Sequence, residues 1–168
     1  MSADRSEEVD DITLLNLALP PADNSFVDER WILIDRQTGL HVGWYFWLRL
    51  LDEVGRSDRY GTSFGLLLLE AGGEAASSTR AAHEALARVS AVIRGTDLGG
   101  VIAPDRAGVI LTQQEPEQAE VGLKRIVGLL ESGSPVGVNW NAELFCYPRD
   151  AAAVTHLLTQ RSPETLSA

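Results

Sequence analysis

The clearest pattern along the chain is Phe64–Leu69, a continuous apolar run bounded by Gly61 and by Gly72-Gly73. A run of that length, closed by glycines on both sides, predicts a buried strand. Before it, Val42–Arg56 has apolar residues at 42, 45, 46, 47, 48, 50, 51 and 54. That spacing predicts a helix with a broad aromatic face. Its cluster Trp44, Tyr45, Phe46 and Trp47 is core if buried and a partner surface if exposed. Thr38-Gly39 predicts a turn ahead of the helix, and Trp31–Ile34 a short strand or helix end. After the strand, Ser77 or Ser78 stands where a helix cap belongs, and apolar residues recur at 82, 85, 86, 89, 92 and 93. This helix is expected to end near Arg94-Gly95. Val101–Ala103 and Gly108–Leu111 predict two short strands joined by the turn-forming Pro104-Asp105-Arg106. Pro116 suits the first turn of another helix, with apolar residues at 119, 123, 126, 127 and 130 and with Gly133 and Pro135 to stop it. Val136–Tyr147 predicts one long or broken strand, and Asp150 a cap for a last helix through Leu158. The order α-β-α-β-β-α-β-α implies an α/β sandwich with a mixed central sheet flanked by helices, not a bundle or a barrel.

At 168 residues the chain is long enough for one domain with its own core. Charge divides it. Residues 1–30 hold eight acids and two bases, so most of the formal net charge of −10 lies there. Residues 1–25 therefore read as an acidic, flexible tail, with Ile12–Leu19 as a docking segment within it if it orders, and residues 26–168 as the domain. The acidity argues against a nucleic-acid partner, which would call for clustered Lys and Arg. The longest pure aliphatic run, Leu66–Leu69, is far short of the about 20 residues that span a bilayer. The N-terminus has no basic segment followed by an apolar stretch, and a cytoplasmic location is expected. The single cysteine, Cys146, excludes an intramolecular disulfide and reads as a small buried hydrophobe. His41, His83 and His156 share no metal-ligand spacing, and no nucleophile motif is present.

Two short segments carry more. Asp35-Arg36-Gln37-Thr38-Gly39-Leu40 resembles the D-x-x-T-G-L opening of GGDEF domains, the bacterial diguanylate cyclase family, and Arg94-Gly95-Thr96-Asp97 resembles that family's R-x-x-D motif. The family's hairpin signature begins five residues after that motif's Asp. Here that interval leads to Ala103-Pro104-Asp105-Arg106-Ala107, between the two short strands. The resemblance covers about Phe26 to Leu158 and implies the nucleotidyl cyclase palm, an α/β sandwich with a ferredoxin-like core.

The departures from the family matter as much. Its Gly-Gly-Asp/Glu-Glu-Phe has become Ala-Pro-Asp-Arg-Ala. The glycines that let the backbone approach phosphates are gone, and Pro104 fixes φ and removes a donor. The second signature acid, a metal ligand in the family, falls on Arg106. Glu70 falls near the family's first metal acid, and one carboxylate beside an arginine is a poor Mg²⁺ site. Only six residues separate Glu70 from Ser77, so the family's guanine-reading loop is expected to be missing. The resemblance thus implies a degenerate domain with no catalytic residues, no cofactor and no metal site.

What the resemblance retains is the inhibitory-type site, which in the family binds cyclic di-GMP away from the hairpin. Arg94, Asp97 and, by ungapped extension, Arg125 are its expected ligand-binding residues. A guanidinium can fork onto a phosphate or a guanine edge, and a carboxylate can accept from guanine N–H groups. Arg56 is a weaker candidate for a secondary arginine. Against this stand plainer readings: a local pair that closes the helix end for Arg94 and Asp97, and a solvated helix face for Arg125. The expected function is an inactive cyclic di-GMP receptor acting on a protein partner. The alternative is a nucleotide-independent interaction scaffold, with homodimerisation open in either case; retention of GTP without turnover is a third, weaker reading.

Overall fold

A computed structural model describes residues 33–73, 79–134 and 138–160. The expected tail (1–25), the Trp31 end of the first apolar run, the caps Ser77 and Ser78, and Pro135 lie outside these residues. Eight elements follow in the expected order: α1 (Gly43–Tyr60), β1 (Phe64–Gly72), α2 (Thr79–Val92), β2 (Leu98–Ala103), β3 (Arg106–Leu111), α3 (Pro116–Gly133), β4 (Asn139–Tyr147) and α4 (Ala151–Thr159).

The strands form one sheet in the order β2-β3-β1-β4. All three ladders are antiparallel, and among the described residues the one parallel pairing is the isolated His41–Gly100 bridge. The mixed sheet of the sequence reading is therefore corrected to an antiparallel one. Sequence order shows two β-α-β crossovers, but not that each skips a position: β3 lies between β2 and β1, and β1 between β3 and β4. The result is the split β-α-β arrangement of ferredoxin-like folds.

Alternation along β1 sends side chains to both faces, and both are covered. Leu67 and Leu69 join Val109, Leu111 and Cys146 under α2 (Ala85, Val89) and α3 (Ala119, Ile126, Leu130). Leu66 joins Phe64, Ile110 and Tyr147 under α1 (Phe46, Leu50) and α4 (Val154). Because both faces of β1 are covered over Phe64–Leu69, that stretch is a continuous apolar run rather than an alternating one.

On α1 the buried positions are Phe46, Leu50, Glu53 and Ser57, a single stripe at helical spacing. Phe46 sits on a facing pair of glycines, Gly100 of β2 and Gly108 of β3, and a Cβ at either would run into its ring. Those glycines let α1 lie close on the sheet beside the β2–β3 hairpin. Asp150 occupies the cap position of α4 without a side-chain bond to that helix; its Oδ2 instead accepts the Cys146 N–H at 2.7 Å and closes the end of β4.

Candidate functional site

Three local structures carry the motif residues. The first is the turn before α1. Asp35 Oδ2 accepts from the Gln37 N–H (3.1 Å), the Thr38 N–H (3.2 Å) and the Thr38 hydroxyl (3.2 Å). Thr38 Oγ1 in turn accepts the Leu40 N–H. Gly39 takes φ +70°, where a side chain is strained, and Leu40 inserts into a small core with Leu86 and Ala107. In this chain the D-x-x-T-G-L segment acts as a folded turn that delivers the chain to α1.

The second is the loop from α2 to β2. Asp97 is buried, 8% exposed, and both its carboxylate oxygens are engaged. Oδ2 accepts the Arg94 N–H and Oδ1 the Thr112 N–H, each at 3.2 Å. The Thr112 hydroxyl donates to the Thr96 carbonyl at 2.9 Å. Asp97 thus ties the end of α2 to the end of β3; of the plainer reading, a local pair closing the helix end, it makes the closure through the Arg94 N–H and not the ion pair. The Arg94 guanidinium makes no hydrogen bond or ion pair among the described residues and stands exposed beside this locked turn. Arg125 is exposed on α3. The structure brings Arg94 and Asp97 together through backbone rather than through an Arg–Asp ion pair, and among the described residues no hydrogen bond or ion pair joins either to the Arg125 side chain. Arg56, not at the helix end but a turn before it, pairs with Glu53 at 3.5 Å.

Beside Asp97 lies a cavity of about 250 Å³ lined by His41, Arg49, Glu53, Gly95, Thr96, Thr112 and neighbouring apolar groups. Neither Arg94 nor Arg125 lines it. Glu53, buried at 3% exposure, was missed by the sequence reading. Its only signal is a charged residue in phase with Phe46 and Leu50.

The third is the hairpin. Ala103 pairs with Arg106 across the two-residue turn Pro104-Asp105, so the signature segment lies where the family's hairpin signature was expected. The Asp105 carbonyl accepts the Ala71 N–H at 2.8 Å and holds the turn against the end of β1. Arg106 faces Glu70 across the β1–β3 ladder, with Nη2 at 2.6 Å and Nε at 3.0 Å from Glu70 Oε1. This pair lines a second cavity, of about 310 Å³, with Trp47, Asn141, Glu143 and Gln160. The residues here do not fit a divalent cation. Of the two carboxylates that line the cavity, Glu70 already takes the Arg106 guanidinium, and that fixed positive charge repels a Mg²⁺. Among the described residues no three His, Cys, Asp or Glu side chains cluster as metal ligands.

Cys146 is buried, and burial pushes its thiol up, as expected of a structural cysteine. His41 Nδ1 lies 3.0 Å from the Gly99 carbonyl and braces the α1 entry against β2. No described helix is long and apolar enough to cross a membrane.

No family model matches the sequence, and no curated protein matches it. Solved structures do. A DGC protein from Thermotoga maritima is 19% identical with a TM-score of 0.60, over 75% of this chain and 98% of that one. The diguanylate cyclase SiaD of Pseudomonas aeruginosa, solved with its activator SiaC, is 19% identical with a TM-score of 0.62, over 91% of this chain and 64% of that one. The GGDEF domain of DgcB from Caulobacter crescentus, solved with c-di-GMP, is 10% identical with a TM-score of 0.64, over 84% and 94%. The chain has the GGDEF-domain fold.

Proposed function

We propose, from this fold, that the chain is a cyclic di-GMP receptor that performs no cyclase chemistry and signals to a protein partner, in the cytoplasm. One contrast supports the reading: Glu70 and Arg106, which the resemblance aligns with the family's metal acids, form an ion pair, while Arg94 of the R-x-x-D segment stands exposed and unpaired among the described residues. Joining two GTP molecules needs metal to neutralise phosphate charge and activate the attacking hydroxyl. A guanidinium bonded to the remaining carboxylate supplies neither. The exposed Arg94 guanidinium suits a phosphate or the O6/N7 edge of guanine. Asp97 acts as a positioning residue that fixes the backbone from which Arg94 projects, and Arg125 is the second arginine offered to the ligand. That DgcB was solved with c-di-GMP supports this choice of ligand.

A second reading, a nucleotide-independent scaffold, is favoured by one observation: Asp97 spends a lone pair of each oxygen on backbone N–H groups and has little surface left for a base. A thermal-shift panel of cyclic di-GMP, GTP and cyclic di-AMP separates the two. Selective binding at a hundredfold excess over Kd stabilises by about 2.7 kcal/mol, or a rise of about 5–10 °C for a chain of this size. The receptor reading expects that rise with cyclic di-GMP alone. No shift with any nucleotide would leave the scaffold. Cyclic di-GMP formed from GTP with Mg²⁺ or Mn²⁺ would overturn the loss of chemistry.

A further inference from the structure

The outer face of α1 is apolar where a helix facing water should be polar. Trp44, Leu48 and Leu51 are 43%, 48% and 56% exposed. With Gly55, whose missing side chain faces open space, they form one stripe within about 60° of the helix circumference. The stripe lies opposite the buried one of Phe46, Leu50, Glu53 and Ser57, so packing among the described residues does not account for it.

The stripe is self-complementary. Trp44 and Gly55 are centred on the same point of the helix as Leu48 and Leu51, midway between Arg49 and Leu50. Two copies of α1 laid antiparallel about a two-fold axis at that point bring each Trp44 onto the other's Gly55 and each Leu48 onto the other's Leu51. A large ring meets the one position without a side chain, and the two branched side chains meet each other. A two-fold interface requires this reciprocity, and an unrelated partner would not.

We propose that this chain forms a homodimer through antiparallel packing of α1 on α1, with Trp44 seated on Gly55 of the second copy. The inference does not depend on cyclic di-GMP binding. The contact is one helix wide and has no second element beside it, so it is a modest interface of the transient class.

Sedimentation equilibrium of the full chain, up to about 100 μM, where micromolar dimers are largely formed, tests the association. A dimer is expected, weakened at least about tenfold by Leu48→Glu with an unchanged circular dichroism spectrum. Register is tested by oxidising Trp44→Cys and Gly55→Cys variants separately and mixed. The mixture is expected to form a disulfide-linked heterodimer and neither variant a homodimer, since like positions lie about 16 Å apart along the axis. Cys146 is buried and does not compete. A monomeric wild type, a dimer untouched by Leu48→Glu, or cross-linking no faster in the mixture than in either variant alone would overturn the proposal.

Discussion

Replacing Gly108 by alanine tests whether the glycine pair seats α1. A Cβ at Gly108 would lie 2.7 Å from Cε1 and 2.9 Å from Cε2 of Phe46, and nearer still to Cζ. Carbon atoms in good contact sit about 3.5–4.0 Å apart, so the ring must retreat by about 1 Å. It has nowhere to go. Phe46 is fully buried among Leu50, Phe64, Leu66 and Ile110, and on the other side Gly100 holds it equally close. Overpacking of this kind costs about 1–3 kcal/mol, and the absence of slack puts Gly108→Ala near the top of that range. The melting temperature should fall by about 5–10 °C. Urea denaturation of Gly108→Ala, Phe46→Leu and the double variant gives the coupling. Phe46→Leu alone loses packing, but in the double variant the smaller side chain accommodates the new methyl. The double variant should therefore be at least about 1 kcal/mol more stable than additivity requires. A Gly108→Ala protein within about 0.5 kcal/mol of wild type, or strict additivity, would refute the claim that Phe46 rests on these glycines.

Three further predictions follow from the site. Asp97→Ala removes the acceptor of two backbone N–H groups and should cost about 2 kcal/mol, read by thermal melt, whatever its effect on ligand. The Arg149 guanidinium and then the Cys146 N–H hold the Asp150 carboxyl below its ordinary value, so its contribution is present above about pH 4 and fades as pH falls through the lowered value; Asp150→Asn should flatten that part of the acid-stability curve. Changing Ala103-Pro104-Asp105-Arg106-Ala107 to Gly-Gly-Asp-Glu-Phe should yield no cyclic di-GMP from GTP, because six residues between Glu70 and Ser77 leave no room for the guanine-reading loop; robust turnover would show that the loop is not needed.

Elements whose burial is uniform were legible from sequence alone. β1 is apolar over Phe64–Leu69 because both faces are covered there, and α2 buries Ala82, Ala85, Leu86 and Val89 as its spacing predicts. The first helix was harder. Its eight apolar positions and Trp44 read as one broad face, but the structure puts Phe46 and Leu50 inside and Trp44, Leu48 and Leu51 outside. What selects the inner set is a pair of glycines more than fifty residues downstream, information no helical period contains. The antiparallel sheet was not legible either, because strand order is set by tertiary packing rather than by the order of elements. At the site, the strand–turn–strand pattern marked the hairpin, and the resemblance singled out Arg94, Asp97 and the signature position. The role of Asp97 was not legible, since it depends on Thr112, fifteen residues away in sequence. The facing of Glu70 and Arg106 was expected only through the resemblance, and the ladder register makes it a contact.

Whether the exposed Arg94 reads cyclic di-GMP is decided by isothermal calorimetry of the full chain with wild-type Arg94 and with Arg94→Ala. Arg94 has no side-chain partner among the described residues, so Arg94→Ala should melt within about 0.5 kcal/mol of wild type, and a lost signal would then report on the ligand rather than the fold. The account predicts saturable binding by wild type and at least about a tenfold loss, about 1.4 kcal/mol, in Arg94→Ala. No heat with wild type at about 100 μM ligand, or equal affinity in the two proteins, would contradict it.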